Sequence, residues 1–151
     1  MKAIRDSVLR AAYRAGYRVM RLYWRAFSPE KRGVKCVLTR GGEVLLVRHT
    51  YGHERRWELP GGGVKRGEEP AAAARREARE ELGVDIGDWR FLGDLFERID
   101  GKRDRLWCFE SELAAGEVER DGVEIAEARW FDRAELPAEA ARYVPLILAL
   151  G

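Results

Sequence analysis

Pro60-Gly61-Gly62-Gly63 cuts a short apolar run, Trp57-Glu58-Leu59, from the helix-forming stretch Pro70 to Leu82. Proline cannot continue a strand ladder, and consecutive glycines let the backbone turn sharply and approach a neighbour closely. Pro70 suits a first helical position and Gly83 a helix stop. Strand, glycine loop and helix are therefore fixed in that order, with Gly67 and Glu68 completing the turn between them.

The helix carries a second constraint. At helical spacing Glu77, Glu80 and Glu81 fall on one face, beside an inward stripe of Ala71, Ala74, Ala78 and Leu82. Arg75, Arg76 and Arg79 occupy the other flank. Like charges at i, i+3 and i+4 repel, and a hard divalent cation reverses the sign, because it favours carboxylate oxygens. A solvated acidic face would explain the cluster alone. It would not require a glycine loop at this spacing.

The remaining segments supply strands on both sides of this unit. Gly33 to Thr39 and Glu43 to Arg48 read as a hairpin around Gly41-Gly42. Trp89 to Ile99 and Arg105 to Leu113 read as a second pair around Asp100-Gly101, and Ile125 to Phe131 as a last strand. Residues 138–150 read as a closing helix, started or kinked at Pro145. Residues 2–27 read as one long helix ended by Ser28-Pro29. The pattern predicts a mixed sheet with helices packed on it, α/β or α+β.

Charge is distributed unevenly. Residues 1–27 hold seven Lys or Arg and one Asp, a net +6, while the remainder is net −4. An acidic body accepts an anionic substrate only with cations between them. In the N-terminal helix Arg10, Arg14, Arg18, Arg21 and Arg25 form one stripe about 80° wide. Ile4, Val8, Ala15, Val19 and Leu22 lie opposite, with Tyr13, Tyr17, Trp24 and Phe27 at the flanks. That apolar side is expected to pack on the domain or on a second copy, giving a homodimer, in preference to a membrane surface or nucleic acid. Cys36 and Cys108 lie in apolar segments without metal-type spacing and read as buried free thiols, which fits a cytoplasmic setting. No apolar run is long enough to span a bilayer, and arginines interrupt any secretory apolar region.

Gly62, Glu68, Arg76-Glu77, Ala78, Arg79, Glu80-Glu81, Leu82, Gly83 and Val84 fill the fixed positions of the Nudix box, and the chain resembles the Nudix hydrolases. Ala78 is small for its aliphatic position, and an Ala-Arg-Trp-Phe strand at 128–131 agrees with the family's surroundings. The resemblance implies a Nudix domain at 29–151 after a helical segment at 1–28, built as an α/β/α sandwich with a mixed sheet. It implies a nucleotide pyrophosphohydrolase (a metal-dependent hydrolase of phosphoanhydride bonds) using Mg²⁺, with Mn²⁺ as a substitute. Glu77, Glu80 and Glu81 match the metal-binding carboxylates, and the Gly61 carbonyl matches a backbone ligand. Arg76 and Glu68 match positions that brace the box through ion pairing, and Arg76 is counted with the catalytic set. A further carboxylate is expected from outside the box. Glu124 is the choice, with Glu117, Glu119 and Glu127 competing. Glu81 or Glu124 would accept the proton from water, and the sequence does not choose.

Other groups are weighed on their own chemistry. Arg48 and Arg56, with Arg55, precede the glycine loop and are candidates for substrate phosphate. His49 and His53 read as surface or capping groups, and Trp57, Phe96 and Trp107 as core. The substrate expected is a nucleoside diphosphate linked to another moiety. An RNA 5′ end and a non-catalytic nucleotide-binding module are the alternatives. The Pro or Tyr that marks some substrate classes in the family has no counterpart at Ile99, Asp100, Gly101 or Lys102.

Overall fold

A computed structural model describes residues 2–27, 30–52, 55–99, 102–113 and 118–151. Helix α1 spans Lys2–Phe27, and strands β1 and β2 span Glu30–Arg40 and Glu43–His49. Helix α2, Pro70–Leu82, precedes β3 (Arg90–Ile99), β4 (Lys102–Glu112), β5 (Ile125–Asp132) and α3 (Tyr143–Leu148). The five strands form one sheet ordered β3-β4-β1-β2-β5. β1 runs parallel to β4 and every other pairing is antiparallel, which is the mixed sheet the sequence implies.

Strand alternation sorts the core into two layers. Val34, Cys36 and Leu38 of β1 and Leu45 and Val47 of β2 face α2, where Ala73, Ala74, Ala78 and Leu82 meet them. Val37, Val44 and Leu46 face the opposite side, against Trp57, Leu59, Val144, Ile147 and Leu148. Three alanines on the buried side of α2 let the helix lie close to the sheet. Ala71 is exposed, and Glu81 lies within the buried arc instead. The arc therefore sits nearer the carboxylates than the alanine stripe suggests.

The ends of α2 agree with the sequence. Pro70 opens it, and Gly83, at φ 67°, closes it in the left-handed conformation. The β1–β2 hairpin closes at Arg40↔Glu43, and the β3–β4 register closes at Ile99↔Lys102. The expected turn at Asp100-Gly101 and the Ser28-Pro29 stop lie outside the described residues. Cys36 and Cys108 are buried free thiols, as expected.

Three expectations need correction. The closing helix is Tyr143–Leu148 rather than 138–150. The backbone before it is committed elsewhere: Trp57 N–H donates to Glu139 O at 3.0 Å and Ala141 N–H to Trp57 O at 2.8 Å. Trp57–Leu59 is accordingly a pair of isolated bridges, Glu58 to Val47 and Trp57 to Ala140, not a regular strand. The third correction concerns α1. It meets the domain through Tyr13, Arg14, Tyr17 and Trp24, and its apolar side faces away, which overturns packing of that side on the domain and leaves the alternative of a second copy standing. Tyrosine hydroxyls and guanidinium N–H groups find acceptors on an acidic body, which valine and leucine cannot use.

Candidate active site

The glycine loop lies along β1. Val34 N–H donates to Gly62 O at 2.9 Å, Cys36 N–H to Pro60 O at 2.8 Å, and Val64 N–H to Arg32 O at 2.9 Å. The approach requires glycine. Gly61 has φ 143°, and a Cβ there would lie 2.1 Å from Val34 O. At Gly62 a Cβ would lie 2.5 Å from the Glu77 carboxyl, so the missing side chain is the space that carboxylate occupies.

Helix α2 brings its carboxylates up to this loop. Glu81 is buried and accepts from Gly61 N–H at 3.0 Å. Glu77 is half-buried and accepts from Arg76 Nη1 at 2.6 Å. Burial raises the Glu77 carboxyl; Arg76 opposes that, while the charges of Glu81 and Glu80 add to it. Glu80 is the outermost of the three, with Arg76 Nη1 at 3.2 Å. Arg76 also grips Glu68 through two parallel bonds of 2.8 and 2.9 Å and donates to Gly63 O at 2.8 Å. One guanidinium thus ties the loop, its turn and the helix together. Arg75 and Arg79 turn away to Asp85.

His49 proves not to be a surface group. It is buried between Glu58 and Glu81, with Nδ1 3.1 Å from Glu58 and Nε2 3.4 Å from Glu81. Burial lowers its pKa, but the two carboxylates outweigh that and lift it to about 9, so the ring is cationic at neutral pH. Lys35 lies nearby in the interior. Burial works against its ammonium, yet Tyr143 and Glu58 hold it protonated, and Nζ donates to Leu59 O at 3.3 Å.

The loop before β5 wraps the C-terminal end of α2, with Asp121 N–H donating to Glu81 O at 2.9 Å. This delivers Glu124 to the same neighbourhood. Its half-buried carboxylate accepts from Tyr13 Oη of α1 at 3.0 Å. Burial raises it, the Tyr13 bond opposes that, and the charge of Glu81 reinforces the rise. Of its rivals, Glu127 is engaged with Arg48 and Arg129, Glu119 is exposed beside Gly83, and Glu117 lies outside the described residues.

A cleft of about 290 Å³ opens on the other side of the glycine loop. Lys31 and Arg32 line it with Asp104 and Glu58, and Tyr17, whose ring meets Tyr51 and Trp24, gives it an aromatic wall. Neither Arg48 nor Arg56 lines it. Arg48 stacks over Trp57 at 4.2 Å and reaches Glu127, while Arg56 is exposed. Trp57 is core as expected, and Trp107 packs against the core while Arg32 and Arg105 lie over its ring, but Phe96 is exposed. His53 lies outside the described residues. The sequence reading missed Lys31, Arg32 and Lys35. Three cations near one β-rich run gave no usable signal, because alternation alone does not say which of them line a cleft.

The carboxylates fit a hard cation by donor type, and Glu77 and Glu81 both meet the glycine loop. Among the described residues, no three His, Cys, Asp or Glu side chains converge closely enough to enclose an ion unaided.

A family model described as the NUDIX domain matches residues 29–149. The chain is 34% identical over 106 residues to the NAD-capped RNA hydrolase NudC of Stutzerimonas stutzeri, a match covering 70% of this chain and 38% of that protein. It is 38% identical over 116 residues to diphosphoinositol polyphosphate phosphohydrolase 3-alpha of Mus musculus, covering 71% of this chain and 68% of that protein. The fold resembles that of a MutT NUDIX hydrolase from Burkholderia pseudomallei, with a TM-score of 0.71 and 24% identity over 80% of this chain and 97% of the other.

Proposed function

The chain belongs to the NUDIX family of hydrolases, which act on phosphorus-containing anhydrides, and from that premise we propose that it is a Mg²⁺-dependent pyrophosphohydrolase of a nucleoside diphosphate joined to a second group. The observation that carries the proposal is the glycine loop as a shared wall. Glu77 and Glu81 approach it from the α2 side, and a cleft with cationic and aromatic walls opens on the other.

Glu77, Glu80 and Glu81 would hold the metal, with the Gly61 carbonyl beside them, and Mn²⁺ would serve in place of Mg²⁺. Bound there, the ion would neutralise phosphate charge and lower the pKa of water. The chain's own residues supply the rest. Lys31 and Arg32 attract the diphosphate, and Tyr17, Trp24 and Tyr51 offer aromatic faces to a base. Arg76 holds Glu77 and Glu80 in place while pinned to Glu68, so its role is positioning. Glu124 accepts the proton from water: burial has raised its carboxyl, while Glu81 already accepts from Gly61 N–H and His49.

Two relatives' names suggest other substrates. A diphosphoinositol polyphosphate would leave the aromatic walls unused. An RNA 5′ end is the second reading, favoured by the NAD-capped RNA hydrolase among the relatives. Product release should be measured across nucleoside diphosphate derivatives, NAD-capped RNA and a diphosphoinositol polyphosphate, with Mg²⁺ and with Mn²⁺. Turnover highest on a small nucleotide supports the proposal. A preference for capped RNA with a steep salt dependence supports the second reading, and a preference for the inositol substrate contradicts both.

A further inference from the structure

Helix α1 lies before the region matched by the family model. Its inner side is held on the domain by Tyr13, Arg14 and Tyr17, which reach Glu124, Thr50 and Tyr51. The opposite half of the cylinder carries Val8, Leu9, Ala15, Val19, Leu22 and Tyr23. These side chains are in solvent: Val19 is 67% and Leu22 69% exposed. Among the side chains described, no charged group interrupts that half. The helix is about 39 Å long, and exposed apolar side chains gathered on one face of it mark an interaction surface.

We propose that this outward face of α1 docks the protein on an anionic lipid surface. Three observations select that occupant. From Val8 to Tyr23 the apolar side chains point away from the docked side, where a lipid surface can meet them. Arg18 and Arg25 are exposed and border the apolar half, at the level where headgroup phosphates would lie. With Tyr13, Arg14 and Tyr17 engaged by the domain, the arginine stripe lies between the docked side and the apolar half, at an edge of the free surface. Finally, the segment is net +6 and the rest of the chain net −4. An anionic surface attracts the helix and repels the body, which fixes the orientation. A second copy is disfavoured, because apposing two such faces brings two strongly basic segments together. In the lipid-bound orientation the cleft, on the inner side of α1, stays in water.

The test is flotation of the full chain with phosphatidylcholine vesicles, with and without phosphatidylglycerol, alongside Val19→Gln/Leu22→Gln. Both positions are exposed and outside the candidate active site, so circular dichroism and turnover should match wild type. The full chain should float with the anionic vesicles only, and the double variant should partition at least about tenfold less, as expected for losing two buried apolar side chains. Equal flotation of variant and wild type, or flotation independent of phosphatidylglycerol, overturns the proposal. So does a failure to float combined with a light-scattering dimer that the double variant dissociates, which would assign the face to a second copy.

Discussion

A methyl group at position 61 would sit 2.1 Å from a backbone oxygen that cannot move, whereas one at position 62 would meet the mobile end of Glu77. The two glycines should therefore fail differently. Gly61→Ala, at φ 143° as well, should destabilise the fold by about 3 kcal/mol or more, read by urea denaturation. Gly62→Ala should cost stability about 1 kcal/mol or less but displace Glu77, lowering turnover about tenfold or more. Equal stability losses would contradict this division. Glu68 allows a second prediction. Its bonds to Arg76 hold its carboxyl down at about 2, below the usual carboxylate range. A lowered folded-state pKa stabilises fully above the unfolded value and is lost as pH falls toward the folded one. The thermal midpoint of wild type should thus exceed that of Glu68→Gln by a constant gap above about pH 5. The gap should close as pH falls toward 2. A gap that widens in acid would remove Glu68 from the brace.

What could be read in advance at the scale of elements depended on how local the determining information was. Helix α2 runs from Pro70 to Gly83 as expected, because a start residue, a stop residue and a 3.6-residue pattern lie within it. The β1–β2 hairpin is equally local. Helix α3 lost half its expected length because Trp57, far away in sequence, claims the Glu139 and Ala141 backbone groups. Helix α1 has its full expected length, but it is the tyrosine and arginine flank, not the apolar side, that meets the domain. Its amphipathic pattern says nothing of the acceptors Glu124 and Thr50 O that Tyr13 and Arg14 reach. The same distinction divides the site. Glu77, Glu80, Glu81, Glu68 and Arg76 share one segment and were legible there. Glu124 was reached by its place before β5. The burial of His49 and the cations of the cleft depend on strand pairing and were not legible. One consequence concerns α1 directly. Trp24 lines the cleft, so Trp24→Ala should raise KM for a nucleotide substrate about tenfold while leaving kcat within about a factor of two, in line with lost stacking. An unchanged KM would take α1 out of substrate recognition.

For the whole molecule, the sheet places three things on one line: the α2 carboxylates, the glycine loop and the cleft. Two alternating core layers hold α2 and α3 on opposite faces of the sheet, which keeps the loop fixed along β1. Among its described side chains, α1 contributes none of the buried core, yet it reaches both Glu124 and the cleft. No helix among the described residues is long and apolar enough to cross a membrane. The central claim is that the acidic face of α2 supports metal-dependent hydrolysis of a phosphoanhydride. Glu80 tests it best, because its side chain is 56% exposed and losing its charge leaves the core untouched. The decisive measurement is product release from the best nucleotide substrate by wild type and Glu80→Gln, each with Mg²⁺ and with chelator. Wild type should turn over only with metal, and Glu80→Gln should be slower by about a hundredfold or more at unchanged thermal stability. Turnover by Glu80→Gln near the wild-type rate, or wild-type turnover that survives the chelator, would contradict the account.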